Sequence, residues 1–128
     1  MSENLLDTHT FIWFINGDNE LSKKARELIE ADDSVNFISI ASIWEIAIKI
    51  SLGKLQLNTS FEEIDKQIDN NGFHLLPITF EHTLLLSKLP FHHRDPFDRM
   101  IIAQSIANRL TVISKDSNLK NYEISLFW

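Results

Sequence analysis

Asp7, Glu45, Asp98 and Asp116 are the residues whose types and positions offer chemistry. Asp7 directly follows the short apolar run Asn4-Leu5-Leu6, and Asp116 sits two residues after the β-like run Thr111–Ser114. Glu45 lies early in a helical stripe after Val35–Ser39, and Asp98 lies in the first turn of the helix that precedes Thr111. In a parallel sheet these positions share one edge, the carboxyl ends of the strands, where such sheets bind their ligands. Carboxylates crowded there repel one another, and either protonation or a divalent cation relieves the repulsion. An all-oxygen donor set without cysteine favours Mg²⁺ or Mn²⁺ over zinc or copper. Such an ion lowers the pKa of a bound water and steadies an in-line attack on phosphorus. The chemistry implied is hydrolysis of a phosphodiester.

Each acid also has an ordinary structural role open to it. Asp7 fits as the cap of a helix starting at Thr8, and Asp98 complements the positive end of its own helix. Glu45 and Lys49 have the i, i+4 spacing of a surface ion pair. Asp116 fits an Asx turn before Ser117-Asn118. The placement of all four at strand ends is what favours the catalytic reading.

The elements that must position them are legible in the periodicity. Residues 8–16 read as a helix rich in aromatics (Phe11, Trp13, Phe14), stopped at Asn16-Gly17. Leu21, Ala25, Leu28 and Ile29 mark an amphipathic helix over 21–31. Val35–Ser39 is a strand, and Ile43, Ile46, Ala47 and Ile50 stripe a helix closed by a left-handed Gly53. Ser60 with Glu63 has the capping-box pattern for a helix carrying Phe61, Ile64 and Ile68, which Gly72 ends. Phe73–Ile78 is a strand whose Pro77 favours an end or edge, and Thr79 caps a helix over 80–88. Asp95 and Pro96 open a helix over 96–109, Thr111–Ser114 is a fourth strand, and Ile124–Phe127 is a short fifth. Strands alternating with helices give an α/β fold with a mostly parallel sheet of four to five strands.

The chain has 128 residues, no cysteine and a formal net charge of −6. That length fits one domain, residues 1–128. The absence of cysteine excludes a disulfide framework, an iron–sulfur site and a thiolate zinc site. No apolar run approaches the ~18 residues of a membrane span, and no signal peptide opens the chain. A cytoplasmic protein without a membrane partner is the expectation. The acidic balance argues against wholesale nucleic-acid binding but says little about a local site.

The local sequences around the acids resemble those of the PIN-domain family. Leu5-Leu6-Asp7-Thr8-His9 is similar to its opening motif, and the stretch from Ser39 to Lys49, with Trp44-Glu45-Ile46, to its second. The stretch from His92 to Gln104, with Asp95-Pro96-Phe97-Asp98-Arg99, resembles the third, and Thr111–Asp116 the fourth. The likeness runs from residue 3 to the C-terminus, and the second and third stretches resemble the VapC-like toxin branch. It implies a three-layer α/β/α domain and a Mg²⁺- or Mn²⁺-dependent ribonuclease. It also implies that the chain is the toxin of a toxin–antitoxin pair, silenced by a cognate antitoxin. Asp7, Glu45 and Asp98 match the three core acids, and Asp116 matches the more variable fourth. Ser114 stands where the family usually has threonine and keeps the hydroxyl. Asp95 is an additional acid, read as the helix cap.

Thr8, Ser42 and Ser114 are candidates for orienting carboxylates or a metal-bound water; as plain structure they would cap helices. Arg99, with Arg94, His92 and His93, is a candidate for RNA phosphate, against the alternative of a solvated loop with Arg99 paired to an acid. Adjacent His92 and His93 should diverge, which makes them a poor metal pair. Lys49 and Lys54 are candidates for RNA further out. Trp13, Phe14 and Trp44 read as core or interface. The run Phe11–Ile15 is apolar all round, so a partner should cover part of it, either a homodimer mate or an antitoxin peptide. The competing function is a non-catalytic PIN-like interaction module with the acids reduced to caps. A phospho-acceptor receiver domain would pair acids after the first strand, and a dehalogenase-type phosphatase would need aspartate at position 9, which is His9.

Overall fold

A computed structural model describes residues 2–128. The strands are β1 (Ser2–Leu6), β2 (Ser34–Ser39), β3 (His74–Leu76), β4 (Thr111–Ile113) and β5 (Leu126–Phe127). The helices are α1 (Thr8–Asn16), α2 (Lys23–Glu30), α3 (Ile40–Ser51), α4 (Ile64–Asn70), α5 (Phe80–Lys88) and α6 (Pro96–Asn108). The strands form one sheet in the order β3-β2-β1-β4-β5, and every pairing is parallel. No helix among the described residues is long and apolar enough to cross a membrane.

Successive side chains of a strand face opposite layers, and both faces of this sheet are covered. Leu6, Ile38 and Ile113, aligned across three strands, pack with Phe11 and Ile12 of α1, Ala25 and Ile29 of α2, Ile46 of α3 and Ile64 and Ile68 of α4. Leu5 and Val112, one residue back, pack the other way with Leu76, Ile101 and Ile102 of α6, and Leu119 and Tyr122. The result is the three-layer α/β/α arrangement. The register of β1 on β2 is pinned by a buried polar pair, in which the Asn4 amide donates to Asn36 Oδ1 at 2.9 Å. Asn36 in turn donates to the Ile29 carbonyl at 2.8 Å, tying α2 to the sheet.

Several expectations shift in detail. Ser60 makes no side-chain capping bond, and Phe61–Glu63 is instead a short 3₁₀ turn leading into α4. The capping box forms at Thr79 and His82, whose imidazole Nδ1 accepts the Thr79 amide at 3.0 Å. β3 and β5 are shorter than the runs that announce them, and Pro77 lies just beyond β3. The apolar α1 is covered by its own chain: Phe11 and Ile12 are buried, Phe14 lies 5.3 Å from the Phe73 ring, and Trp13 meets Trp128 edge-on at 5.9 Å. The loop and C-terminal residues that complete this cover lie far along the chain, out of reach of a local pattern. Trp44, in contrast, is 61% exposed and touches only the edge of Phe97 among ring contacts.

Arg99 is the largest correction. It is 4% exposed, and its guanidinium donates to the Pro90 carbonyl at 2.8 Å and the Leu89 carbonyl at 3.1 Å. Longer contacts at 3.4 Å reach the Leu86 carbonyl and the Tyr122 hydroxyl, and Phe91 lies over the group at 4.0 Å. The planar fork thus satisfies the end of α5 and the loop that leads to α6, and it is spent on backbone rather than offered to phosphate. Replacing Arg99 with alanine would leave those carbonyls without donors. Arg99→Ala should therefore lower the unfolding free energy by about 2–4 kcal/mol in a urea titration. Arg99→Lys should recover only part of this; unchanged stability in both variants would return the residue to a solvent-facing role.

Candidate active site

The chain runs β1, β2, β3 toward one edge of the sheet and then returns to place β4 on the other side of β1. The direction of winding therefore reverses between β1 and β4, and a crevice opens outside their carboxyl ends at such a point. Asp7 leaves β1 and Asp116 follows β4, so both border this crevice. Glu45 faces it from α3, and Asp98 from the first turn of α6.

Asp7 is 6% exposed. Its Oδ1 accepts the Thr10 amide at 2.9 Å and caps α1. Burial pushes its carboxyl above the ordinary range, against the lowering effect of hydrogen bonds from Ser114 and Thr10 and the nearby His9. Ser114 also accepts the Asp116 amide at 3.0 Å, so one hydroxyl ties the two strand-end acids together. Asp116 Oδ1 accepts the Asn118 amide at 2.9 Å, the Asx turn, while its Oδ2 faces the crevice.

Glu45 is 5% exposed and held at both oxygens. Oε1 accepts from the Thr8 hydroxyl at 2.7 Å, and Oε2 pairs with Lys49 at 2.8 Å. The Ser42 hydroxyl lies 2.9 Å from that of Thr8 and completes the group. Thr8 thus orients Glu45 directly, and Ser42 acts on it only through Thr8. Lys49 pairs with the acid, whereas Lys54 is exposed.

Asp98 is the focus. Burial raises its pKa to about 7, and the charges of Asp95, Asp7, Glu45 and Asp116 add to the shift. The four acids and Asp95 thus share one electrostatic neighbourhood. Asp95 itself accepts the Phe97 and Asp98 amides at 2.9 and 3.1 Å, so it is the cap of α6.

His93, named from the sequence only for RNA phosphate and as half of a poor metal pair, faces two of the acids. Its Nε2 lies 3.3 Å from Asp98 Oδ2 and 3.5 Å from Asp116 Oδ2, and its Nδ1 accepts the Asp95 amide at 3.0 Å. The accepted amide fixes the ring proton on Nε2, pointed at both carboxylates. Ligating atoms of His93, Asp98 and Asp116 lie within 4.8 Å of one another. His92 does diverge, packing edge-on against Tyr122 at 5.0 Å. The available signal was position: His93 stands two residues before the cap of the helix that carries Asp98. Arg99, by contrast, takes no part in the crevice.

The donor set suits a hard divalent cation. It is carboxylate-rich, partly desolvated and short of the charge needed to ionise every member. Asp98 and Asp116, with His93, are the groups whose ligating atoms converge, and Asp7 and Glu45 lie close enough to act on Asp98 electrostatically.

Comparison with known proteins agrees with this architecture. The family model described as PIN domain matches residues 5–124. No curated protein matches the chain. Among solved structures, VapBC2 from Rickettsia felis bound to a DNA fragment from their promoter is similar, with a TM-score of 0.72 at 16% identity, covering 98% of this chain and 97% of that one. A toxin–antitoxin complex from Klebsiella pneumoniae gives a TM-score of 0.67 at 17% identity, covering 98% and 96%. FitAcB from Neisseria gonorrhoeae gives 0.68 at 17% identity, again covering 98% and 96%. At such identities the likeness concerns the fold, while the family model spans nearly the whole sequence, so the chain belongs to the PIN-domain family.

Proposed function

We propose that this chain is a metal-dependent endoribonuclease and the toxin of a toxin–antitoxin pair. The observation that carries the reading is the crowding of Asp7, Glu45 and Asp116 around Asp98 at the β1/β4 crevice. The toxin–antitoxin proteins that share the fold support a cognate antitoxin as partner. Exposed Trp44, Leu52, Phe80 and Leu84 supply apolar surface for that antitoxin and for a homodimer mate. A cytoplasmic setting, where RNA is the substrate at hand, completes the reading.

When bound, Mg²⁺ or Mn²⁺ supplies Lewis acidity and an activated water for attack on phosphorus. Asp7 and Asp98 would hold the ion. Ser114 keeps the Asp7 carboxyl aimed into the crevice while fixing the turn that presents Asp116. Thr8 and Lys49 hold Glu45 in a fixed orientation, where it would accept a proton or fix a water. His93 Nε2–H bridges Asp98 and Asp116 and tempers their repulsion. A non-catalytic module on the same fold is favoured only by the capping bonds of Asp7 and Asp116, and failure of calorimetry to detect Mg²⁺ or Mn²⁺ binding would support it.

Purified protein should cleave RNA with Mg²⁺ or Mn²⁺, and Asp7→Asn or Asp98→Asn should each reduce the rate by about 100-fold or more. Cleavage that persists in both variants would defeat the proposal. Ser114→Ala should weaken metal affinity by about 10- to 100-fold, read by calorimetry.

The pH dependence follows from Asp98. The folded protein holds this proton up to about pH 7, against an ordinary value of 3.8, so between those values the native state binds more protons than the unfolded chain. Stability of the metal-free protein therefore falls as pH rises from about 4 to about 7. Asp7 adds a slope of the same sign. Thermal melts should show a declining Tm across this window, flattened in Asp98→Asn. Millimolar Mn²⁺ should raise Tm more at pH 8 than at pH 5, because protons no longer compete for the site.

A further inference from the structure

Beside the acids lies a cavity of about 290 Å³, lined by Asp7, His9, Trp13, Lys115 and Asp116. Both loops that supply the strand-end acids contribute to it. Resting on the nuclease reading and going beyond it, we propose that this cavity receives one nucleobase of the RNA strand, stacked on Trp13 and His9 next to the scissile phosphate.

His9 and Trp13 are four residues apart on α1, so they share one face of the helix, and their rings lie 5.7 Å apart at an interplanar angle of 35°. Trp13 is not a loose surface ring. Trp128 meets it edge-on at 5.9 Å, and the Lys115 ammonium lies 5.9 Å from its centre. Lys115 is itself held by Glu20 at 2.8 Å. A rigid aromatic platform loses little entropy on stacking, and stacking is tolerant of sequence because every base has a π-face. The volume lies at the small end of the ~300–1,000 Å³ usual for ligand sites, which suits one base rather than a larger group. The cavity wall includes Asp7 and Asp116, so a base seated here has its own phosphate within reach of the crevice. A tryptophan serving the core alone would have no reason to share a cavity with two of the four acids.

The test uses a labelled single-stranded oligoribonucleotide and its series of single abasic analogues. Binding is read by anisotropy on Asp98→Asn protein, so that the strand stays intact, and cleavage is read separately on otherwise wild-type protein. His9→Ala removes an exposed ring, and Trp13→Phe keeps an aromatic in the packing; circular dichroism and melting check both folds. One abasic position should weaken binding about ten-fold. That penalty should shrink to about two-fold or less in His9→Ala, which removes a ring, and only part of the way in Trp13→Phe, which leaves a smaller π-face. If wild-type protein cleaves but no abasic position carries a penalty, or the penalty in His9→Ala is as large as without that substitution, the base site is overturned and the nuclease reading stands. If the penalty and its loss are present but wild-type protein does not cleave, the base site stands and the nuclease reading fails. Absence of both overturns both.

Discussion

Mutual repulsion among partly desolvated carboxylates is the constraint around which the carboxyl end of this sheet is organised. Asp98 feels Asp95, Asp7, Glu45 and Asp116 together, and burial adds to the cost of ionising it. A fold retains such a cluster only if other interactions hold it in place. Here they are short and specific. Thr8 and Lys49 occupy Glu45, Ser114 joins Asp7 to the Asp116 turn, and His93 reaches two acids at once. The parallel sheet supplies the geometry, since reversal of winding between β1 and β4 leaves a crevice that neither helical layer fills.

The structural and chemical readings of the acids turn out to be compatible rather than exclusive. Asp7 caps α1 through Oδ1, and Asp116 closes its turn through Oδ1 while Oδ2 faces His93. A carboxylate has enough lone pairs for both tasks. Using one oxygen to satisfy the backbone fixes the rotamer that aims the other. This division explains why residue type and spacing alone left each acid ambiguous: the same aspartate that makes a good cap also makes a rigid ligand.

What was legible in the sequence follows from the range of the interactions involved. Periodicity and punctuation are local, so the helices, the parallel strands and the caps at Asp7, Thr79 and Asp95 could be read directly. The meeting of the acids was legible because a parallel sheet collects strand ends on one edge. Long-range partners were not legible. Nothing near Arg99 signals that its fork closes on carbonyls at Leu89 and Pro90. The pairing of Asn4 with Asn36 spans 32 residues, and the apolar pattern of β1 hides it. The aromatic α1 read as needing a partner because Phe73 and Trp128, which pack on it, lie far along the chain, beyond any local pattern. The argument against a histidine pair held for the pair but not for His93 alone.

The chain's net charge of −6 adds a further condition on the proposed nuclease. A polyanion approaching an acidic protein gains nothing from long-range attraction, and the long-range field is screened beyond ~8–10 Å in any case. Arg99, the best phosphate fork in the sequence, is buried on backbone, and Lys49 and Lys115 are paired with acids. Affinity must therefore come from short range, by charge neutralisation at the four acids and by stacking against rings already fixed in place. Counterion release would contribute less than in a basic nucleic-acid binder, because the net charge is negative. A site built this way would hold RNA more tightly with its cation, so the repulsion among the acids would also couple substrate binding to the metal.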